Sequence, residues 1–251
     1  MMRFLLIIGL IAANFKLVAQ DVNTLIKDGQ NFERSLKEKE ALNKYKEALK
    51  IDRNNLFCLL HTVELSCAIG NREEDKKVKS RYINEAMGYA EAAMLVDPNS
   101  ADAYYVRALV AARLTDIETD TKKTLEHVKN IKIYAEKALA INPNHARANY
   151  VMGKWNYEMV NLAWAKKAAV KLLYGGLPGA SIENAFTYME KARQYDQYFL
   201  INYLDLAKAY KYDQKPAKAV EILNKLVKLP LRTADDAQLK EEGRKMLNEM
   251  Q

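Results

Sequence analysis

Beyond residue 20 the apolar positions of the chain recur at intervals of three and four. Leu42, Tyr45, Ala48 and Leu49 follow Leu36 in one stretch, and Ala86, Ala90, Ala93 and Met94 form another. That spacing places them on one face of an α-helix. No alternating run of β-branched residues interrupts the pattern; Val and Ile are scattered singly through helical stretches. The pattern therefore predicts an all-α chain.

A repeat lies on top of this periodicity. Tyr45–Asn54 reads YKEALKIDRN, Tyr89–Asn99 reads YAEAAMLVDPN, and Tyr134–Asn144 reads YAEKALAINPN. Ala48, Ala93 and Ala138 are spaced by 45 and 45, as are Asp52, Asp97 and Asn142. Tyr188–Asp196 (YMEKARQYD) is a fourth copy, and Ala217–Leu229 (AKAVEILNKLVKL) supplies a fifth second-helix. A small residue lets two antiparallel helices approach closely, with an aromatic or Leu filling the gap one turn away. Asp/Asn-Pro-Asn cannot continue a helix, because Pro lacks an N–H and disfavours helix in the residue before it. The Asn after Pro is the expected cap of the next helix. Such a helix pair cannot bury its apolar face alone, so copies must stack.

These units resemble tetratricopeptide repeats. Gly29, Ala41, Tyr45 and Ala48 stand at the small and aromatic positions of the first unit, with Arg53 in place of the usual Pro. Pro98 and Pro143 end the next two, Gly153, Ala185, Met189 and Ala192 mark the fourth with Gln197 instead of Pro, and Ala207, Tyr210 and Ala219 mark the fifth. The resemblance implies an all-α, right-handed α-solenoid of about five helix pairs with a C-terminal capping helix. The units run about 22–55, 56–100, 101–145, 146–199 and 200–233, with the cap at 234–251, all within a single domain 21–251. The first and fifth match the family period of about 34 residues, and the middle three carry extra residues around Gly70–Lys79, Thr115–Lys122 and Asn161–Ser181. Thr233 is the expected N-cap of the final helix.

The C-terminal half is also similar to the regulator of microtubule dynamics family. The residues that carry this are Gly153-Lys154-Trp155-Asn156-Tyr157, Trp164, Lys167, Leu172-Leu173-Tyr174-Gly175, Pro178, Glu183-Asn184-Ala185-Phe186, Phe199, Asn202, Leu206-Ala207-Lys208 and Tyr210. Eukaryotic members act in the cytosol or at organelle contacts, whereas this chain begins like an exported protein. Microtubule binding is therefore not expected from the resemblance.

Composition sharpens the picture in three places. The chain has 251 residues, 49% apolar and 28% charged, which excludes a wholly disordered protein. Met1, Met2 and Arg3 precede the apolar run Phe4–Ala13, with Lys16 and Leu17-Val18-Ala19-Gln20 after it. The run has the size of a signal-peptide core and is shorter than the ~20 residues of a spanning helix. Residues 1–20 are expected to be a signal peptide and the protein periplasmic or secreted; an uncleaved membrane anchor is the alternative. Loss of that segment lowers the net charge from +7 to +5, with no block of like charges. Nucleic acid is accordingly not an expected partner. Cys58 and Cys67, nine residues apart on one helix, lie roughly 13 Å apart along its axis and cannot pair with each other.

The chemistry-bearing residues form no catalytic pattern. His61, His127 and His145 lack partners at metal-ligand spacing, and no phosphate loop, HExxH or nucleophile elbow is present. The expectation is a non-enzyme without cofactor or metal. Glu73-Glu74, Asp235-Asp236 and Glu241-Glu242 read as solvated faces, and His145 as a helix start. What remains is surface. In tetratricopeptide arrays the first helices line the concave face, and the resemblance assigns Tyr105, Arg113, Arg147, Tyr150, Lys154, Tyr157, Lys208, Lys211 and Tyr212 to it. Such Tyr- and Lys-rich positions suit a protein or peptide partner, in particular an acidic one. Tyr150 and Lys154 are expected to be replaceable there without loss of stability. The alternative is a phospholipid or amphiphile pocket in a long first helix of unit four, formed by Trp155, Trp164, Lys167 and Leu173. Some members of the similar family are implicated in phospholipid binding.

Overall fold

The computed structural model describes residues 21–162 and 179–250. The described residues form α1 (residues 21–34), α2 (Glu38–Ile51), α3 (Leu56–Arg72), α4 (Lys76–Val96), α5 (Ala101–Thr115), α6 (Thr121–Ile141), α7 (Ala146–Asn161), α8 (Ile182–Tyr195), α9 (Leu200–Tyr212), α10 (Pro216–Leu226) and α11 (Asp236–Asn248). No strand occurs among them. Gly29 of α1 meets the Tyr45 ring of α2, and the later helices pair as α3/α4, α5/α6, α7/α8 and α9/α10, with α11 packed on both helices of the last pair.

The alanines of the repeat are what brings each pair together. Ala48, Ala86, Ala93, Ala138, Ala185, Ala192 and Ala219 have no exposed surface. Gly153 goes further: a Cβ there would lie 2.5 Å from Met189 Cγ and 3.0 Å from the Met189 backbone nitrogen, so α7 and α8 touch backbone to side chain. Cys58 and Cys67 are buried in the core.

Polar side chains set the helix boundaries. Asn55, Asp75, Ser100, Asp120 and Ser181 cap α3, α4, α5, α6 and α8 by accepting first-turn N–H groups. The inter-pair turn rests on its first residue rather than on Pro. The carboxylate of Asp52 accepts the Asn54 N–H, the amide oxygen of Asn142 accepts that of Asn144, and Asp196 accepts that of Tyr198. The side chain imitates a turn carbonyl, so Arg53 and Gln197 replace Pro without loss of the turn. Asn99 and Asn144 do not cap, contrary to expectation; Ser100 and His145, one residue later, do.

Three sequence expectations need correction. The first helix of unit four is not long: α7 ends at Asn161, where Leu162 turns to extended ψ. The final helix begins at Asp236 rather than after Thr233. Asp236 is buried and accepts from the Arg232 N–H, the Thr233 N–H and the Thr233 hydroxyl, so it is no solvated acid. The chain divides into two compact units, residues 21–98 and 99–250. Among the described residues no helix is long and apolar enough to cross a membrane. The expected signal peptide, residues 1–20, lies outside the described residues.

Candidate functional site

In the second unit the first helices α5, α7 and α9 and the cap α11 lie side by side. This layer carries all nine residues expected to contact a partner. It gathers three of them, Tyr150, Lys154 and Lys208, around one residue that the sequence did not single out, Asp205.

Asp205 sits on α9 with its side chain only 3% exposed. The Tyr150 hydroxyl donates to its Oδ2 at 2.8 Å, and Lys154 Nζ donates to the same oxygen at 2.9 Å. Lys208 Nζ lies 3.9 Å from Oδ1. Burial raises the Tyr150 phenol well above its ordinary range, and the Asp205 charge adds to this. Burial by itself favours the neutral amine of Lys154, but the Asp205 charge and hydrogen bond outweigh it and raise its pKa. The Tyr150 ring also meets Phe199 edge-on at 5.0 Å. Tyr150 and Lys154 are thus packed and bonded between two helices, which argues against their being dispensable for stability.

The network continues along α9. Lys208 pairs with Glu242 of α11 at 2.7 Å, and Lys211 lies 3.8 Å from Glu249. Lys154 also lies 3.5 Å from Glu158. The lysines of this face therefore meet built-in counter-charges, and the exposed Glu242 is also an ion-pair partner. Beside them is a groove of about 460 Å3 lined by Tyr157, Lys208, Lys211, Tyr212, Glu242, Lys245, Met246 and Glu249. Tyr157 and Tyr212 meet edge to face at 5.9 Å, and the Tyr212 hydroxyl donates to the Val160 carbonyl. Four expected residues, Tyr157, Lys208, Lys211 and Tyr212, thus share one cleft.

The other three are engaged elsewhere in the layer. Tyr105 is buried against the His145 ring, 5.2 Å away. Arg113 approaches Asp116, and Arg147 stacks over Phe199 at 4.9 Å. His145 Nδ1 accepts the Ala148 N–H, so Nε2 carries the proton and donates to Asp102 at 2.9 Å. His145 thus caps α7 at the helix start where the sequence places it.

Of the expected lipid pocket, Trp155 is 5% exposed, its indole N–H donates to the Val128 carbonyl of α6, and Lys132 lies over its ring. It is packed shut between α7 and α6. Trp164, Lys167 and Leu173 lie outside the described residues. Among the described residues no group of three or more His, Cys, Asp and Glu side chains could hold a metal ion.

Asp205 could have been noticed. It is the single acid of α9, flanked by Leu204 and Leu206 in an otherwise apolar and basic helix. An acid inside an apolar stretch implies a buried partner, but only the packing of α7 on α9 names that partner.

Comparison with known proteins places these features. The chain is 30% identical over 94 residues to Regulator of microtubule dynamics protein 1 of Caenorhabditis elegans, covering 38% of this chain and 42% of that one. It is also 30% identical over 98 residues to the Bos taurus protein of the same name, covering 39% of this chain and 31% of that one. The matched segments thus span less than half of either relative. In structure it is similar to TTC0263, a thermophilic TPR protein of Thermus thermophilus, with a TM-score of 0.65 at 14% identity, covering 90% of this chain and 99% of the other. That likeness establishes a tetratricopeptide-type helical-repeat fold. The family model described as Regulator of microtubule dynamics protein 1-3 matches residues 25–251, and the chain therefore belongs to that family.

Proposed function

We propose that this protein is a non-catalytic binding module that holds a segment of a protein partner on the α7–α9–α11 face of its second unit. The observation that carries this is the groove of about 460 Å3 in which Tyr157, Tyr212 and Met246 offer apolar area between Lys208, Lys211 and Lys245. Aromatic residues give rigid contact area at low entropy cost, and the lysines favour an acidic segment. The ion pairs to Glu242 and Glu249 must exchange for those of the ligand, so the preference is for acids that also bury apolar side chains. We further propose that the protein is exported and acts outside the cytosol; the short basic start and apolar run of residues 1–20 support this. The microtubule role in the relatives' names is not carried over, because an exported chain meets no tubulin.

The test is fluorescence anisotropy of acidic, aromatic-containing peptides against the full chain and its Lys211→Glu/Lys245→Glu variant. These two side chains are not part of the Asp205 contacts, so the fold should survive and affinity should fall about tenfold. Equal affinity for both proteins removes this groove from consideration. Native mass spectrometry of the gently purified protein is the second check, and a lipid-mass adduct would overturn the peptide reading. Export predicts that fractionated cells contain the chain outside the cytosol with an N-terminus near Asp21; a full-length cytosolic chain would refute it.

A further inference from the structure

The first unit holds a separate groove of about 770 Å3 between α2 and α4, with Leu59 of α3 at its floor. One wall is Asn43, Lys46, Glu47 and Lys50 of α2; the other is Glu85, Gly88, Tyr89 and Ala92 of α4. Both walls follow the same spacing of three, four and seven, so two helical stripes face each other. The α4 stripe is about 10 Å long, which is the length of two helical turns.

Three observations point to an occupant. The first is Gly88. A helix-interior glycine costs about 1 kcal/mol relative to alanine. Gly29, Gly70, Gly153 and Gly243 each stand where a Cβ would come within 2.8 Å of another side chain, but a Cβ on Gly88 would meet nothing within 4 Å. Close approach within this chain explains those four and not Gly88, although Gly88 lines the groove. With Ala92 one turn on, it forms a small-residue wall against which another backbone can lie close.

The second observation is charge. Lys46 is paired across the groove with Glu85 at 2.7 Å, and Glu47 with Lys44 at 2.7 Å. Lys50 and Arg53, exposed on the same rim, have no ion-pair partner among the described residues. The third is Leu95, one turn beyond Ala92 on the same stripe and 81% exposed, far more than any other large apolar side chain among the described residues.

We propose that the α2–α4 groove docks an amphipathic helix of a protein partner, with acidic side chains along one edge. Its apolar residues would cover Leu49, Tyr89 and Leu95, its backbone would approach at Gly88 and Ala92, and its acids would meet Lys50 and Arg53. This is helix-in-groove recognition, on a surface separate from the α7–α9–α11 face, so either proposal can fail without the other.

The experiment uses the full chain and a synthetic helical peptide probe of about five turns, with Leu on one face and Glu on one flank. A second peptide carries Lys in place of Glu. The Glu probe should bind, and Lys50→Glu/Arg53→Glu should weaken it about tenfold or more and shift preference to the Lys probe. Raising the salt concentration should weaken it as well. Gly88→Leu should abolish binding while leaving the melting temperature at or above wild type, since open space surrounds that Cβ. Lys211→Glu/Lys245→Glu should bind this probe unchanged. Absence of binding, equal affinity for the two probes, or undiminished binding by Gly88→Leu would each overturn the proposal. Concentration-dependent self-association that Gly88→Leu removes would overturn it in favour of a second copy as occupant.

Discussion

The Asp205 network gives a quantitative prediction. Tyr150→Phe removes one hydrogen bond to an ionised acceptor but keeps the ring that packs edge-on against Phe199. Hydrogen bonds to charged groups contribute about 1.5–3 kcal/mol. Lys154 still satisfies the same oxygen, so the lower end applies, about 1.5 kcal/mol. For a chain of this size that lowers the melting temperature by about 3–6 °C. Asp205→Leu is worse, because it strands the Tyr150 hydroxyl and removes the counter-charge of Lys154. Breaking a buried pair from one side costs about 3–5 kcal/mol. Lys154 is 39% exposed and can turn to Glu158 and water, so about 3 kcal/mol is expected. Asp205→Asn keeps an acceptor for Tyr150 and should fall between. The measurement is urea unfolding by circular dichroism with a Tyr150→Phe/Asp205→Leu cycle. Hydrogen exchange read on α7 and α9 peptides localises the effect, since repeat proteins can unfold in parts. A coupling energy of about 1 kcal/mol is expected. Strictly additive effects would show that the contact contributes nothing, and the account of this face would fail.

Other outcomes follow from the same geometry. Gly153→Ala should destabilise by about 1–3 kcal/mol despite the better helix propensity of alanine, because its Cβ would press on Met189 and on backbone atoms. Gly88→Ala should instead stabilise by about 0.5–1 kcal/mol, since nothing lies within 4 Å; thermal melts of the pair test both. Gln214 turns α9 into α10 with φ of 54°, a left-handed conformation that glycine adopts freely, so Gln214→Gly should raise stability by about 1 kcal/mol. Stability should fall as pH rises above about 10. Tyr150 and Lys154 both have folded pKa values raised above their ordinary 10.0 and 10.5, so their contribution is complete below those values and lost above them. Urea midpoints against pH should show a shallower alkaline fall in Tyr150→Phe, and an unchanged slope would remove Tyr150 from that account.

Much of the fold was legible because its determinants are local. The spacing of Ala48, Ala93 and Ala138 follows from helix periodicity and from the small volume that close helix pairing requires. The turns at Asp52, Asn142 and Asp196 are closed by a side chain acting two residues away, which a sequence can show. The place of His145 at a helix start was legible for the same reason. The end of α7 at Asn161 was not. Trp155 and Trp164 suggested a continuing helix, and apolar periodicity does not mark a stop without a Gly or Pro signal at that point.

The candidate sites divide in the same way. Periodicity and family resemblance named Tyr150, Lys154, Tyr157, Lys208, Lys211 and Tyr212 as neighbours on one face. Their partners, Asp205, Glu242 and Glu249, come from helices dozens of residues away, and an acid on a helix looks the same in sequence whether water or a lysine faces it. Trp155 shows the converse. Its size suggested a pocket, but the Val128 carbonyl of α6 and the packing of α7 close the space around it. Gly88 looked like any helical glycine until the distances around it were known. The helices, the pairing unit and the residues that share the layer of first helices can be read from the chain alone, because they depend on contacts within a few turns. Which charges are neutralised, which aromatic is packed shut and which groove stays open emerge only from the folded arrangement, because those depend on side chains brought together from separate repeats.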